Sequence, residues 1–434
     1  MIVASSRPAR SLSSLGLVLC LFLAFNAASA ALIPASGDIR TFLTGIEVAG
    51  EGSEGFVEPS ESDMATWKSA IASLLDLNIT TAAALAGSQQ YDLFAYTDTP
   101  SGALYYVLRE QNSAGEPGFR GLGTYVLNPR ARRLLNIQCP HPLYDHTLAQ
   151  SCEIFLQTES MFLQISGATR CANSAPADCG FTTLACAPDS FPIPYRVSDA
   201  AHYLPTFFQT TSDEVAARIS PLISVSVHRF GAACDPWEET SAAVISNGTA
   251  QFVNNSIATQ LAHQYNLIFA GLPYTGEGGG SCNADPGDPD HWATSCEEHP
   301  PCGGSNVQGI SLNSGGPPTD CSVLPPSPGP GEERFVHIEQ FPILVNEWPT
   351  EGVSWQVTID AIANTFDVDT WVDFTYVGPE TGSFYQPFSS LAAAVANAGD
   401  HETIWIKAGS SNESPTIVQP HLLKSFNGSA TIGQ

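Results

Sequence analysis

The spacing of apolar and polar residues changes along the chain in a way that predicts an α/β fold. Apolar, β-branched runs at 222–228 and 335–340 predict strands, and the apolar spacing at 147–158 and 354–366 predicts helices. Strands that alternate with helices favour a mostly parallel or mixed sheet covered on both faces. We therefore predict a three-layer α/β/α sandwich. Further strands are predicted at 124–127, 135–139, 161–166, 243–246 and 267–272, and a further helix at 256–265.

Residues 31–120 precede this alternating region and have a different pattern. The stretch 31–62 is rich in Gly, Ser and Glu and shows little periodicity, which predicts a loose arm. A helix is predicted at 64–86, and an antiparallel pair of strands at 91–96 and 103–109. We expect four parts in all: a signal peptide at 1–30, an N-terminal arm and β/α extension at 31–120, an α/β hydrolase-like domain at 121–368, and a C-terminal segment at 369–434.

The first thirty residues have the pattern of a secretory signal peptide. Arg7 and Arg10 precede an apolar run at 15–25, and small residues at 28–30 suit cleavage. The run is shorter than the roughly 20 apolar residues that a membrane span needs. Cleavage as a lipoprotein at Cys20 is disfavoured by the bulky residues before it. We expect a secreted, extracellular or periplasmic protein without a membrane span.

Cysteine use and charge narrow the class of protein further. Ten of the 11 cysteines fall between 139 and 321, and an even number in an exported chain predicts up to five disulfides within that region. The formal net charge of −27 argues against nucleic acid or an anionic membrane as partner. The stretch 273–333 is rich in Gly, Pro and Cys and predicts a long loop. Asn-x-Ser/Thr acceptor sites for glycosylation occur at Asn78, Asn247, Asn254, Asn412 and Asn427.

Candidate catalytic groups lie at or just after predicted strands. His141 follows the strand at 135–139, and His228 ends the strand at 222–228. Glu339 lies inside the strand at 335–340, where period-two alternation places it on one face with Phe335 and His337. Two histidines and a carboxylate suit zinc with an open position for water, and another carboxylate could take a proton from that water.

This order of residues resembles the zinc carboxypeptidase superfamily, and in particular poly-γ-glutamate hydrolases and N-formylglutamate amidohydrolases. The resemblance covers about 124–366 and implies an α/β/α sandwich. It implies that Zn²⁺ is bound by His141, Asp145 and His228, and that Glu339 is the catalytic base. The family's first motif is His-x-x-Glu, whereas this chain has His141-x-x-x-Asp145, so Asp145 either binds zinc or orients His141 from behind it.

The resemblance also implies groups that bind a substrate carboxylate. The family places basic and amide residues between the first metal motif and the second histidine. Arg170 and Asn173 follow the predicted strand at 161–166 and occupy that interval. Guanidinium groups suit bidentate recognition of carboxylates.

Structural roles compete with each of these assignments. His141 lies beside two prolines and could cap a turn, and His228 could be an ordinary buried histidine. His337 competes with His228 as a ligand, while Glu339 could pair with an arginine. For His202, a place at a helix start or in a substrate wall is favoured over metal binding.

The C-terminal segment resembles the opening of a right-handed parallel β-helix. Those openings contain a strand, a turn between glycines, Pro-Phe, a capping helix and a strand that ends Lys-Ala-Gly. In this chain the strand is matched by Trp371–Phe374 and the turn by Gly378 and Gly382. Pro387-Phe388 and a helix at 390–397 follow, and a strand at 402–408 has Lys407-Ala408-Gly409 at its end. A glycan or cell-surface contact through this segment is one expectation.

Two hypotheses about function follow. The first is an exported zinc-dependent hydrolase that cleaves an amide bond adjacent to a carboxylate, in a small peptide-like or N-acyl amino acid substrate. The second is a non-catalytic secreted surface or carbohydrate-binding protein on the same fold. Bound zinc would favour the first hypothesis, and glycan binding without zinc would favour the second.

Overall fold

The computed structural model describes residues 32–189, 191–230, 241–249, 253, 255–272, 277–281, 306–314, 328, 332–347 and 353–433. The predicted signal peptide and five of the cysteines, Cys234, Cys282, Cys296, Cys302 and Cys321, lie outside these residues. The strands are β1 (Leu32–Gly37), β2 (Tyr91–Asp98), β3 (Leu104–Glu110), β4 (Thr124–Leu127), β5 (Arg133–Cys139), β6 (Ser160–Ile165), β7 (Thr182–Thr183), β8 (Ile193–Pro194), β9 (Ile223–Arg229), β10 (Ser241–Ser246), β11 (Glu277–Ser281), β12 (Phe335–Gln340), β13 (Asp369–Val372), β14 (Thr403–Ser411) and β15 (Leu422–Ile432). The helices are α1 (Ile39–Thr44), α2 (Glu61–Leu75), α3 (Ile79–Gly87), α4 (Leu148–Gln157), α5 (Phe207–Arg218), α6 (Ile257–Phe269), α7 (Val307–Ser314), α8 (Pro342–Val345), α9 (Trp355–Thr365) and α10 (Leu391–Asn397).

A mixed sheet of ten strands forms the centre of the fold, in the order β1-β2-β3-β4-β6-β5-β9-β12-β10-β11. Its middle strands, β6, β5, β9 and β12, are all parallel to their neighbours in that group. Helices α1, α4, α6 and α9 bury apolar side chains against one face of the sheet, and α2, α3 and α5 against the other. The predicted three-layer α/β/α fold is confirmed.

The central strands carry apolar residues on one face and polar residues on the other. In β9, Val225 and Val227 enter the core with α4, α6 and α9, whereas Ser224, Ser226 and His228 belong to the opposite face. These polar side chains are buried all the same. A buried row of polar groups at the middle of a sheet is costly unless its members are paired, so this face is a candidate for a functional site.

Two segments differ from the expectation. Instead of a loose arm, residues 32–44 form β1, which pairs in parallel with β2, and α1, which Asp38 caps by accepting the Arg40 and Thr41 backbone N–H groups. Pro34 and Gly37 interrupt the residue pattern typical of a strand, so this edge strand was not predicted. Proline is tolerated in an edge strand. The strand predicted at 267–272 is wrong. Its first residues continue α6, whose buried residues Leu261, Ala262, Tyr265 and Phe269 have helical spacing.

Among the helices, one predicted helix is divided in two and another was not predicted. The helix expected at 64–86 is divided into α2 and α3, because Leu77 between them has a φ of +54°. Helix α5 was not predicted, although Thr206 caps it through the Gln209 N–H. This helix covers the polar face of β5 and β9.

A separate three-stranded parallel sheet, β13-β14-β15, follows the α/β region. Trp371 of β13 is fully buried, and it belongs with Phe384 and Phe426 to the same apolar core as α2 and α3. The Tyr385 hydroxyl donates to the Leu75 carbonyl at 2.8 Å. The C-terminal segment therefore packs against the α/β region.

Cysteine pairing differs in part from the expectation of up to five disulfides. Cys171 and Cys186 form a disulfide, and Cys179 is also disulfide-bonded. Cys139 and Cys152 are free thiols, so the expected pairing is wrong for them. Both are buried in the core between β5 and α4, where a thiol packs as a small apolar side chain.

One of the glycosylation acceptor sites is closed in the folded chain. Asn247 is completely buried, and its amide donates to Glu333 at 2.9 Å. The folded chain therefore leaves no room for a glycan on the Asn247 amide.

Candidate metal centre

The parallel centre of the sheet brings the candidate residues together. Strands β6, β5, β9 and β12 end at the same edge, as parallel strands must. Arg170 follows β6, His141 follows β5, His228 is the last residue but one of β9, and Glu339 is the last residue but one of β12. In α/β sheets such an edge is the usual place for a ligand.

The first group of possible metal ligands consists of His141, Asp145 and His228. Nδ1 of His141 lies 3.2 Å from Oδ2 of Asp145, and Nδ1 of His228 lies 3.3 Å from the same oxygen. All three side chains are buried. The three ligand atoms lie within 4.8 Å of one another, so the group could hold a metal ion.

The other nitrogens of the two histidines have partners of their own. Nε2 of His141 lies 2.8 Å from Oδ1 of Asp199, and Nε2 of His228 lies 3.0 Å from the Ser226 hydroxyl. A partner on the far nitrogen of a metal-binding histidine fixes its ring orientation and leaves the near nitrogen for the metal. Both Nδ1 atoms are thus held toward Asp145.

Asp199 connects this group to Arg170 and His202. Nε and Nη2 of Arg170 donate to Oδ2 of Asp199 at 3.0 and 2.7 Å, and Nδ1 of His202 lies 2.9 Å from Oδ1. Tyr195 stacks on His202 with 3.7 Å between ring centroids. The Arg170 guanidinium also lies over the half-exposed ring of Tyr144, 5.4 Å from its centroid.

A second row of groups lies on β12 beside His228. Glu339 is directly opposite His228 in the register of the two strands, and His337 is opposite Ser226. The His337 ring packs on the His228 ring with 4.5 Å between centroids, and its Nε2 lies 3.5 Å from Oε1 of Glu339. His228, His337 and Glu339 form a further group whose ligand atoms lie within 4.8 Å of one another, and a third such group is His141, Asp199 and His202.

Charge and burial give two members of the first group, Asp145 and His228, the protonation states that a cation needs. Burial alone would raise the pKa of Asp145, but the adjacent imidazoles of His141 and His228 outweigh it and hold that pKa well below its usual range. Burial lowers the pKa of His228 to about 4, against the opposing effect of the Asp145 hydrogen bond. Near neutral pH the group therefore offers an ionised carboxylate and a neutral imidazole.

His141 and Glu339 respond differently to their surroundings. Burial would lower the pKa of His141, but the carboxylates of Asp199 and Asp145 outweigh it and the pKa is raised. Burial, reinforced by the charge of Asp145, raises the pKa of Glu339 well above its usual range. A cation bound nearby would oppose both shifts, since positive charge favours an ionised carboxylate and a neutral imidazole.

Unpaired buried atoms show that the described residues alone do not complete this site. Nδ1 of His337 and Oε2 of Glu339 are buried without a hydrogen-bond partner among the described residues. Such atoms are rare in native proteins and call for a ligand, ion or water. The donors present, which are imidazole nitrogens and carboxylate oxygens, are those that Zn²⁺ accepts.

Most residues of this site were predicted from the sequence, and one central residue was not. The structure brings His141, Asp145, His228 and Glu339 to one edge of the sheet, and Arg170 is joined to them through Asp199. The residue that was missed is Asp199, whose only local signal is its spacing from the histidine three positions later. A role for Asn173 in substrate binding stays a prediction; its side-chain amide donates to the Phe56 carbonyl at 3.0 Å.

Comparison with protein-family models, with curated proteins and with solved structures finds no match to this chain. Within the part of the chain that the structure describes, no helix has the length and apolar character needed to cross a membrane.

Proposed function

We propose that this protein is a zinc-dependent hydrolase that cleaves an amide bond. The observation that carries the proposal is the convergence of Nδ1 of His141 and Nδ1 of His228 on one oxygen of Asp145, at 3.2 and 3.3 Å. Glu339 lies directly across from His228 on the neighbouring strand. Three protein ligands beside a further carboxylate are the components of a hydrolytic zinc site.

His141, Asp145 and His228 would hold the ion, and Asp199 and Ser226 keep the two rings turned toward it. When bound, zinc polarises a substrate carbonyl and lowers the pKa of water to about 7. Zinc suits a mixed set of two imidazoles and one carboxylate better than Mg²⁺ or Ca²⁺, which prefer oxygen ligands throughout.

Glu339 acts as the general base in this proposal. It takes a proton from the attacking water while the water oxygen bonds to the amide carbon, and it passes that proton to the leaving nitrogen as the C–N bond breaks. Its position on a central strand holds the carboxylate in place. Burial raises the pKa of Glu339, and a cation bound nearby would oppose that shift and so favour the ionised carboxylate that accepts the proton.

Arg170 is the candidate for recognising a carboxylate next to the scissile bond. Two of its nitrogens bind Asp199, and the remaining one, Nη1, is the atom that a substrate carboxylate could approach. This supports a small peptide-like or N-acyl amino acid substrate. Asn173 would contribute only if its contact with Phe56 were exchanged for substrate.

Secretion is part of the same proposal. The apolar leader in the sequence predicts export, and the disulfide between Cys171 and Cys186 is compatible with an oxidising compartment.

The substitution Glu339→Gln tests the function, because it preserves shape while it removes proton transfer. The zinc-loaded protein is assayed by chromatography against a panel of N-acetyl and N-benzoyl amino acids. We expect Glu339→Gln to retain tightly bound zinc and to lose about 10²–10⁴-fold in turnover. The exposed Glu61→Gln should leave turnover unchanged.

Three results would contradict the proposal. They are full activity in Glu339→Gln, zinc-loaded wild type without activity on any member of the panel, and purified protein that binds no zinc. Unfolding of Glu339→Gln would assign the residue a structural role instead.

A further inference from the structure

The first metal position does not use all the metal-binding groups at this edge of the sheet. His337 lies between His228 and Glu339, and it is almost completely buried, with 3% of its surface exposed. The His141, Asp145 and His228 ligands would satisfy one ion without it. The imidazole is therefore buried without a role in the proposed reaction.

The unpaired atoms of His337 and Glu339 point to a ligand that the protein does not supply. Nδ1 of His337 and Oε2 of Glu339 are both buried and have no hydrogen-bond partner among the described residues. Their one mutual approach, Nε2 of His337 to Oε1 of Glu339, is 3.5 Å, which is longer than a good hydrogen bond. A structural pair that served only to satisfy itself would be expected to close this distance.

The arrangement of the three side chains suits a cation. His228, His337 and Glu339 each offer a ligand atom, and these atoms lie within 4.8 Å of one another. We propose that a second divalent cation of the zinc, cobalt or nickel type binds at His337 and Glu339, beside the first position and next to the His228 ring. An imidazole nitrogen beside a carboxylate favours these metals over Mg²⁺ and Ca²⁺.

The second position should be the weaker of the two. It has only His337 and Glu339 to itself, because a neutral imidazole has one lone-pair nitrogen and His228 turns its Nδ1 toward the first position. Two divalent cations so close together repel each other. The first position therefore fills first, and the second fills only at a higher metal concentration.

Occupation of the second position would change what Glu339 can do. A carboxylate that ligates a cation is no longer available to accept a proton. On the proposed function, the second cation thus removes the general base and reduces hydrolysis, which would make the site sensitive to metal concentration. This consequence rests on the proposed hydrolase, whereas the existence of the second position does not.

Metal stoichiometry tests the proposal without reference to activity. The full chain is freed of metal with a chelator and titrated with Zn²⁺ in a calorimeter, and Co²⁺ binding is followed in parallel by visible absorption. We expect two ions per chain for the wild type, the second bound at least about tenfold more weakly than the first. His337→Phe, which keeps a ring against His228, and Glu339→Gln should each bind one ion.

The exposed His401→Asn serves as the control. This substitution removes one imidazole from the protein, and asparagine tolerates the positive φ of 65° at position 401. This variant should still bind two ions.

The outcomes separate this proposal from the proposed function. One ion per chain in the wild type, or two ions in both His337→Phe and Glu339→Gln, would overturn the second position while leaving the hydrolase intact. Two ions in a wild type that is also inactive when only the first ion is bound would support the second position and contradict the hydrolase. If His337→Phe does not fold, Glu339→Gln still decides between one ion and two.

Discussion

Nε2 of His141 lies 2.8 Å from Oδ1 of Asp199, although 58 positions separate the two residues in the chain. The same carboxylate accepts two hydrogen bonds from Arg170 through its other oxygen. Burial would raise the pKa of Asp199, but Arg170, His202 and His141 outweigh it and hold that pKa well below its usual range. An ionised carboxylate behind His141 makes its imidazole a better metal ligand.

Asp199→Asn should therefore weaken metal binding without abolishing it. We expect a loss of about 10–100-fold in zinc affinity, because a partner of the ligand is changed and the ligand itself remains. Competition with a chromophoric chelator measures the affinity. Asp213→Asn, which alters a largely buried carboxylate on α5 that bonds Ser311 and Gln209, is the matched control and should bind zinc normally. Unchanged affinity in Asp199→Asn would show that Asp199 only neutralises Arg170.

Asp145→Asn distinguishes a ligand from an orienting residue. Asp145 touches both histidines through one oxygen, so its carboxylate is placed to bind the ion directly. We expect a loss of zinc affinity larger than that of Asp199→Asn, more than about 100-fold, because a charged ligand is replaced by a neutral amide. The same chelator competition measures it. A loss equal to or smaller than that of Asp199→Asn would place Asp145 behind His141 instead.

Asp369 should make stability depend on pH. Burial raises its pKa to about 7, against the hydrogen bond that it accepts from Trp405 Nε1 at 2.9 Å. For an acid whose pKa is raised by folding, the folded state is favoured by protonation, so the contribution is present below about pH 4 and is lost as the pH rises to about 7. Asp369→Asn keeps an acceptor for Trp405 and cannot ionise.

We expect Asp369→Asn to unfold at the same temperature as the wild type near pH 4 and at a temperature a few degrees higher at pH 8. Thermal unfolding followed by circular dichroism across this range provides the measurement. A constant difference between the two proteins at every pH would show that Asp369 does not titrate between these limits.

Mass spectrometry of the exported protein shows which cysteines are free thiols and which form disulfides. Alkylation in denaturant without reductant should label Cys139 and Cys152, and should leave Cys171, Cys179 and Cys186 unlabelled until a reductant is added. The bridge between Cys171 and Cys186 closes a separation of 15 residues, so replacing both by serine should cost about 2–4 kcal/mol in the free energy of unfolding. A peptide that joins Cys139 to Cys152 would contradict the assignment.

Much of the fold was predictable because its signals are local. The β-branched run of β9 and the alternation of Phe335, His337 and Glu339 in β12 depend on neighbouring residues alone, and both strands occur where they were predicted. Because parallel strands end at one edge, the order of these strands also predicted that His141, His228 and Glu339 would lie close together.

What the sequence determined by itself was the α/β class of the fold and the ends of the central strands, where these side chains stand. The tertiary structure decided how the site is completed. Asp199 contacts His141 from the far end of a long loop, and no pattern of neighbouring residues predicts that contact. Cys139 and Cys152 stay reduced because the core between β5 and α4 encloses them as apolar side chains. Pairing across the sheet and packing between layers depend on distant residues, and their energies appear only once the whole chain has folded.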